Sequence, residues 1–131
     1  MHKNFSHNVK VYYEDTDAGG VVYYANYLKY LERARSEAIY SLGLSNSKLQ
    51  KDYGALIIVK SCNINYKKPA KFEDDLEVLS SVISKTRTSF SMLQIIKRNE
   101  EIISEAEVQL VTVNDDGKPI KIPEVLLKLF D

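Results

Sequence analysis

Residues 12–42 read YYEDTDAGGVVYYANYLKYLERARSEAIYSL, and within them the chain changes from a turn to a long helix. Apolar residues recur there at helical spacing between charged ones, at positions Leu28, Leu31, Ala34, Ala38 and Leu42. Gly43 follows as a natural helix end. The pattern predicts a helix over Asn26–Leu42, about five turns long.

The rest of the chain alternates between apolar and polar residues, as strands do. His7–Tyr13 is a predicted strand before the helix, and Ser45–Asp52 is a predicted short helix after it. Four predicted strands follow: one with Ile58, Cys62, Ile64 and Tyr66 on a common face, ending near Pro69, and then Leu76–Lys85, Ser89–Arg98 and Ile102–Val113. The predicted connections are a hairpin at Asn99-Glu100 and a turn at Asn114–Pro119, and a short helix at Pro123–Phe130 ends the chain.

One long helix cannot stabilise itself, but a five-stranded antiparallel sheet curled around it would bury its apolar side. The sequence therefore predicts an α+β fold with a long central helix wrapped by that sheet, as a single domain over residues 1–131. A sheet of this size has exposed edge strands, which favours side-by-side assembly of two copies.

The amino-acid composition argues against several classes of function. Eighteen basic and eighteen acidic residues cancel, which gives no support for a nucleic-acid or anionic-membrane partner. Cys62 is the only cysteine and is expected to be a buried structural thiol, while His2 and His7 lie together in a polar stretch, so no metal site is predicted. Without an apolar signal segment or a transmembrane run, a cytoplasmic location is expected.

The acidic and glycine-rich stretch before the helix admits three interpretations. The simplest is a strand-to-helix turn with a capping residue. A calcium loop fits Asp15, Asp17 and Gly20, but Gly19 supplies no side-chain oxygen and Asn26 stands where a bidentate glutamate is needed. The third is acyl transfer, in which helix N-terminal N–H groups stabilise an oxyanion and a nearby carboxylate is base or nucleophile.

The stretch Val11–Glu37 closely resembles the signature of the 4-hydroxybenzoyl-CoA thioesterase-like hotdog proteins, and most of all the bacterial Tol–Pal-associated (YbgC-type) acyl-CoA thioesterases. The central motif is Tyr-x-Asp-Thr-Asp-x-x-Gly-x-Val, with Asn-Tyr and Glu-Arg-Ala-Arg downstream. The segments YKKPAKFEDDLEV and SKTRTSFSM extend the likeness over nearly the whole chain. The resemblance implies the same fold, a helix wrapped by an antiparallel sheet.

By this resemblance Asp17 matches the catalytic carboxylate, and backbone N–H groups around Gly20 and Tyr24 match those that polarise the thioester carbonyl. Other matching residues are interpreted as turn-shaping, interface or structural: Tyr13, Glu14, Asp15, Asn26 and Tyr27. Many YbgC-type members have histidine where this chain has Tyr24. A phenol is a poor base near neutral pH, although its O–H can still donate a hydrogen bond.

CoA needs cations for its phosphates, and two groups of residues are candidates. The resemblance places the region of Lys85, Arg87, Thr88 and Ser89 near CoA. A second group, Lys67, Lys68 and Lys71, surrounds Pro69. Either group could instead be a solvated edge. Another charged group, Glu32, Arg33 and Arg35, is expected to form ion pairs on the helix surface.

The resulting hypothesis is an acyl-CoA thioesterase with no metal or redox cofactor, in which CoA is part of the substrate. The resemblance also implies a homo-oligomer built as a dimer of dimers, and an acyl-carrier protein or phospholipid-synthesis enzyme as partner. One alternative is a non-catalytic module that binds acyl-CoA or acyl-carrier protein. A dehydratase is the other, but that chemistry uses a histidine, and both histidines precede the motif.

Overall fold

The computed structural model describes residues 3–130, so His2 lies outside the described part of the chain. Five strands occur there: β1 (Asn4–Lys10), β2 (Leu56–Tyr66), β3 (Asp75–Lys85), β4 (Ser89–Arg98) and β5 (Glu101–Val113). The helices are α1 (Asn26–Ser41) and α2 (Asn46–Tyr53), and 3₁₀ turns cover Tyr13–Asp15 and Glu124–Leu129. Within residues 3–130, neither α-helix is long and apolar enough to cross a membrane.

The strands form one antiparallel sheet in the order β1-β3-β4-β5-β2. β3, β4 and β5 are joined as consecutive neighbours, with Asn99 at φ 56° in the predicted β4–β5 hairpin. β2 does not pair with β3, its successor in the sequence. It pairs with β5, so β1 and β2 are the two edges of the sheet.

The core lies between α1 and the side of the sheet that faces it. α1 buries one stripe of residues, Tyr27, Tyr30, Leu31, Ala34, Ala38 and Ile39. Gln94, on β4, is fully buried in this layer, and its Nε2 donates to the Leu31 carbonyl (3.0 Å) and to Ser80 Oγ (2.9 Å). These bonds satisfy a buried amide and tie the helix to two strands. The predicted α+β fold with a wrapped helix is confirmed.

The helix boundaries follow from their caps. α1 begins at Asn26 as predicted and ends at Ser41, because Leu42 is the cap and Gly43 takes φ 78°. α2 begins at Asn46 because Ser45 is its N-cap, with Ser45 Oγ accepting from the Lys48 N–H at 3.0 Å.

The first strand lies three residues earlier than predicted and stops at Lys10. Two side-chain bonds redirect the chain after Val11: the Tyr12 N–H donates to Asp15 Oδ2 (2.9 Å), and Thr16 Oγ1 donates to the Tyr13 carbonyl (2.8 Å). Such local side-chain bonds compete with strand pairing and favour a turn.

A bulge in β2 changes which residues face the helix. Val59 pairs with Leu110 and Ser61 with Gln109, which leaves Lys60 unpaired. Val59 therefore shares the helix-facing side with Cys62 and Ile64, whereas Ile58 points away. The prediction that Ile58 faces the same way as Cys62 was wrong, since period-2 counting fails across an extra residue.

The expectation that Cys62 is buried was also wrong, because the thiol is exposed. Cys62 points to the helix side of the sheet, but it lies on an edge strand that α1 does not cover.

The expected ion pairs of Glu32, Arg33 and Arg35 do not form with any of residues 3–130. Glu32 accepts a hydrogen bond from Ser36 Oγ (3.1 Å), and Arg35 turns inward to donate to Gln94 Oε1 (2.9 Å). The Arg35 guanidinium therefore binds the buried amide of Gln94 on β4 and not an acid on the helix surface.

Candidate active site

A tight hairpin carries the acidic and glycine residues that precede α1. Thr16 and Val22 form its closing bridge, and the Asp17 N–H donates to the Val21 carbonyl at 2.9 Å. The second arm lies against the segment before β3, where the Val22 N–H donates to the Ala70 carbonyl at 2.8 Å. The hairpin is therefore anchored to the body of the protein.

The carboxylate of Asp17 is exposed at the tip of this hairpin. Its Oδ1 accepts from the Gly19 N–H at 2.9 Å, which fixes the direction of the side chain. A Cβ at position 19 would lie 3.3 Å from that oxygen, so glycine leaves the carboxylate room. Nothing among residues 3–130 donates to Oδ2, which leaves one oxygen available to accept a proton or attack a carbonyl.

Gly20 closes the turn. It takes φ 78°, a conformation that favours glycine, and its N–H donates to the Asp17 carbonyl at 3.0 Å. The amide that was a candidate for polarising a thioester carbonyl is thus engaged inside the turn.

The start of α1 does present free amides. The N–H groups of Asn26, Tyr27 and Leu28 donate to carbonyls three residues back, at 2.9–3.3 Å. Among residues 3–130, none accepts from the N–H of Tyr24 or of Ala25. Two adjacent donors therefore remain unpaired at the positive end of the helix dipole.

Tyr24 was a predicted donor, whereas Ala25 was missed. The signal that could have identified Ala25 is positional, because the residue before a helix keeps an amide that no helical carbonyl can accept. The methyl side chain of Ala25 does not itself indicate that the backbone N–H is free.

Tyr66 fixes the peptide that carries the Ala25 amide. The Tyr66 hydroxyl donates to the Tyr24 carbonyl at 3.3 Å, and its ring lies 6.4 Å from that of Tyr24 and 5.0 Å from that of Tyr27. Burial raises the pKa of Tyr66, so its hydroxyl keeps its proton and remains a donor. The exposed Tyr24 ring also contacts Tyr23, with ring centres 4.9 Å apart.

Asp15 joins the hairpin to the helix. Its carbonyl accepts from the Tyr23 N–H (3.0 Å) and from Asn26 Nδ2 (2.8 Å), while its carboxylate holds the Tyr12 N–H. Burial raises the pKa of the Tyr30 hydroxyl, and the nearby Asp15 carboxylate adds to the rise. Asp15 and Asn26 thus hold the turn in place.

Three further predicted residues also lie in this region. The buried Tyr27 hydroxyl accepts from the Ala70 N–H at 3.0 Å, while Tyr13 and Glu14 are exposed.

The cations assigned to CoA lie far from this hairpin. Gly20 contacts Phe72, just before β3 begins, whereas Lys85 ends β3. An eleven-residue strand separates them, roughly 30 Å. One chain therefore brings Asp17, Gly20 and Tyr24 together, but not Lys85, Arg87, Thr88 and Ser89.

A small cavity of about 150 Å³ nevertheless forms at that far end, and its charged lining is three cations, Lys85, Arg87 and Lys121, and one acid, Glu124. Within residues 3–130, none of the three forms a salt bridge, and the Ile122 N–H donates to the Arg87 carbonyl at 2.9 Å. Ser89 Oγ is engaged with Thr86 Oγ1 at 2.7 Å and so fastens the loop. Lys121 was missed because it is remote in the sequence from the β3–β4 loop.

The second group of cations lies near the hairpin but is mostly paired. Lys67 faces Glu105 at 3.6 Å and Lys68 faces Glu101. The backbone of Lys71 forms an isolated antiparallel β-bridge with Val21, next to the Asp17 turn. The Lys71 side chain forms no salt bridge to any of residues 3–130, so its charge is not neutralised there.

Comparison with known proteins agrees with this architecture. The family model of the Thioesterase-like superfamily matches residues 11–130. The chain is 36% identical to the acyl-CoA thioesterase YbgC of Haemophilus influenzae, over 99% of this chain and 96% of that protein. It is 37% identical to the acyl-CoA thioester hydrolase YbgC of Escherichia coli O157:H7, over 93% and 92%.

Among solved structures, a 4-hydroxybenzoyl CoA thioesterase mutant complexed with 4-hydroxybenzoyl CoA superposes with a TM-score of 0.90 at 20% identity. The alignment covers 98% of this chain and 99% of that one, and shows a common fold. The chain belongs to the Thioesterase-like superfamily, has the hotdog fold of 4-hydroxybenzoyl-CoA thioesterase, and is a homologue of the YbgC acyl-CoA thioesterases.

Proposed function

We propose that this protein is an acyl-CoA thioesterase that hydrolyses an acyl-CoA to a free acid and CoA. The proposal rests on one short segment that contains both kinds of group the reaction needs, a carboxylate and backbone amide donors. Asp17 offers a carboxylate oxygen without a donor, and Tyr24 and Ala25 offer two amides without an acceptor among residues 3–130. The Asp15 carbonyl holds these two parts together through Tyr23 and Asn26.

The reaction uses these groups in a defined order. The thioester oxygen accepts from the Tyr24 and Ala25 N–H groups, which stabilise the negative charge that develops when the carbonyl carbon is attacked. The C–S bond then breaks and CoA leaves as a thiolate, so no strong general acid is needed. The phenol of Tyr24 is not required, because the donor is its backbone N–H.

Asp17 can act in two ways that differ in a covalent step. As a base it takes a proton from the attacking water, and as a nucleophile it forms an anhydride that water then cleaves. A single turnover in ¹⁸O-labelled water separates them. The nucleophilic route leaves ¹⁸O in the Asp17 carboxyl group when water attacks that carbon, whereas the base route labels only the released acid.

The CoA phosphates need cations that one chain does not bring to the hairpin. We propose that Lys85, Arg87 and Lys121 of a second copy supply them, and that Lys71 adds a positive charge beside the turn. The distance along β3 supports this arrangement, as does the absence of salt bridges from these cations to any of residues 3–130.

A panel of acyl-CoA substrates of different chain length and aromaticity, assayed for thiol release, tests the proposal. Turnover that depends on Asp17 supports it. Tight acyl-CoA binding without turnover by either the wild type or an Asp17→Ala variant would instead identify the non-catalytic binding module. A dehydratase has no support from the described residues, because His7 lies on β1, away from the hairpin.

A further inference from the structure

Residues 69–74, called here the linking segment, lie between β2 and β3 and contact the chain before and within the hairpin that precedes α1. Before the hairpin, the Val11 N–H donates to the Asp74 carbonyl at 2.9 Å. Within it, the Gly20 carbonyl accepts from the Phe72 N–H at 3.3 Å. The position of the hairpin therefore depends on the position of the linking segment.

Ala70, in the linking segment, joins the two parts of the candidate site. Its carbonyl accepts from the Val22 N–H of the hairpin at 2.8 Å. Its own N–H donates to the hydroxyl of Tyr27, in the first turn of α1, at 3.0 Å. The hairpin carries Asp17 and the start of α1 carries the amide donors. A shift of Ala70 would therefore change the distance between the carboxylate and those amides.

Arg98, at the end of β4, holds both ends of the linking segment. Its Nη1 donates to the Pro69 carbonyl at 3.1 Å and to Asp74 Oδ2 at 2.6 Å. The same carboxylate oxygen accepts from the Lys71 N–H at 2.8 Å. The Arg98 and Asp74 side chains are 24% and 20% exposed, and a partly buried ion pair is screened by salt much less than a surface pair. Because the linking segment lies outside both strands, these side-chain bonds replace the ladder bonds that fix a strand.

We propose, on the basis of the thioesterase function proposed above, that Arg98 is a positioning residue for hydrolysis. Through the linking segment it sets the position of the Asp17 carboxylate relative to the amides at the start of α1. Arg98 forms no hydrogen bond with Asp17 itself. A guanidinium suits this role because its second nitrogen, Nη2, donates to Glu101 while Nη1 holds the segment, and the single ammonium of lysine has no such planar fork.

Steady-state thiol release by the full-length Arg98→Gln variant tests the proposal. Its kcat is expected to fall at least about tenfold, because a misplacement of about 1 Å can cost about 100-fold in rate. The value of kcat/KM should fall by the same factor, as it does when an interaction used only in the transition state is lost. In ¹H–¹⁵N NMR spectra, the amide resonances of Ala70 and Val22 should also be displaced, a readout that does not depend on turnover.

Glu101→Gln is the matched control within the same ion cluster. It removes the acid that pairs with Arg98 Nη2, but it leaves the Nη1 bonds to the linking segment in place. It is expected to destabilise the protein while kcat stays near the wild-type value. Arg98→Lys keeps the charge without the fork and should also have a lowered kcat, which covers the case in which Arg98→Gln fails to fold.

A double variant separates positioning from general destabilisation. Asp74→Ala removes the carboxylate through which Arg98 acts and should lower kcat in the same way. If both residues act through one link, the Arg98→Gln/Asp74→Ala double variant should have a kcat no lower than that of the more impaired single variant. Independent effects would multiply and would contradict a shared link.

A folded Arg98→Gln protein with wild-type kcat would overturn the positioning role, as would equal losses of kcat in Arg98→Gln and Glu101→Gln. A raised KM with unchanged kcat would assign Arg98 to substrate binding and would also overturn it. If the wild type releases no thiol from any acyl-CoA, the proposed function is wrong and the positioning role is wrong with it. An active wild type with a fully active Arg98→Gln variant would remove the positioning role alone.

Discussion

Asp17 differs from the neighbouring acids in its position on the hairpin. Asp15 uses its carboxylate to hold the Tyr12 N–H, and Glu14 is exposed beside it. Asp17 receives a single hydrogen bond, from Gly19, and keeps its second oxygen free of donors among residues 3–130. Asp15 likewise accepts one hydrogen bond, so position distinguishes Asp17: the predicted catalytic carboxylate is exposed at the tip of the hairpin, whereas Glu14 and Asp15 lie in the preceding 3₁₀ turn.

Asp17→Asn is expected to lower kcat at least about 10²–10⁴-fold, because it removes the charge that a base or nucleophile requires. Acyl-CoA binding should survive, since the amides at the start of α1 are unchanged. Steady-state kinetics and a binding titration measure the two effects. Glu14→Gln is the matched control and should behave as the wild type. Near-wild-type turnover in a folded Asp17→Asn protein would contradict the mechanism, and an equal loss in Asp15→Asn would indicate a coupled pair of acids.

The backbone donors can be tested separately from the side chains. Ala25 has φ −65°, the angle that proline imposes, and its N–H donates to no acceptor in residues 3–130. Ala25→Pro is therefore expected to remove one oxyanion donor and lower kcat about 10²–10³-fold, with unfolding midpoint measured to verify the fold.

Tyr24→Phe is the companion variant and should cost little, while Tyr24→His is expected to keep or raise activity. A loss in Tyr24→Phe as large as that of Asp17→Asn would show that the phenol takes part.

Regular patterns in the helices and strands were predictable from the sequence, and their interruptions were not. The alternation in β5 follows from side-chain periodicity and was confirmed. Of the predicted α1 stripe, Leu31, Ala34 and Ala38 are buried, but Leu28 is 49% exposed. The bulge at Lys60 has no sequence signal, so the predicted direction of the Ile58 side chain was wrong. The inward turn of Arg35 depends on Gln94, fifty-nine residues away, which helix spacing alone cannot show.

The same limit applies to the candidate site. Asp17 and the start of α1 are contiguous in the sequence, so a motif can identify them together. Lys121 reaches the Lys85 and Arg87 cavity only because the chain after β5 returns to the β3–β4 loop. The predicted Gly20 donor is engaged because the turn closes on Asp17, a detail that depends on backbone angles.

One ion cluster fastens the end of the β4–β5 hairpin to neighbouring segments. Arg98 contacts Asp74 and Glu101, and Lys68 contacts Glu101. Hydrogen bonds from Lys68 and Arg98 hold the pKa of Glu101 below its usual range. A carboxylate whose pKa is depressed on folding stabilises the protein above its unfolded-state pKa and loses this contribution as pH falls through the folded value.

Glu101→Gln should therefore lower the free energy of unfolding at neutral pH, and the difference from the wild type should begin to shrink near about pH 4, the reference value of a glutamate, and disappear as pH falls through the lower folded-state pKa. Urea unfolding at several pH values measures this. Glu100→Gln, whose side chain is 99% exposed, is the control and should show little pH-dependent difference. An unchanged difference at low pH would show that Glu101 stabilises by packing rather than by charge.

The sheet ends at β2 with an exposed edge. Ile58 and Val59 are 47% and 50% exposed on that strand, and β2 is longer than β1, the other edge. Unpaired strand edges with apolar side chains favour pairing with another chain.

The protein is expected to be a homo-oligomer, a tetramer built from dimers, and light scattering at micromolar concentration measures it. Ile58→Glu should shift it toward the monomer, while Asn8→Glu on β1 should not. A monomeric wild type would exclude this assembly.

If a second copy completes the site, two defective chains can repair each other. Asp17→Asn lacks the reacting carboxylate, and a Lys85→Gln/Arg87→Gln double variant lacks the cations at the other end of β3, roughly 30 Å away. In a two-fold pair, each site would take its carboxylate from one chain and its cations from the other. A pair with one chain of each variant therefore contains one intact site.

Mixing the two variants under conditions of subunit exchange is therefore expected to restore about a quarter of the wild-type turnover, because random exchange makes half of the pairs mixed. The readout is thiol release at subsaturating acyl-CoA, where loss of the cations weakens each parent most. A mixture of Asp17→Asn with Asp17→Ala is the control and should gain nothing, since no pair then contains a carboxylate. Turnover equal to the sum of the separate variants, with exchange verified by mass spectrometry, would place the whole site within one chain and would assign the phosphate contacts to cations near the hairpin, with Lys71 first.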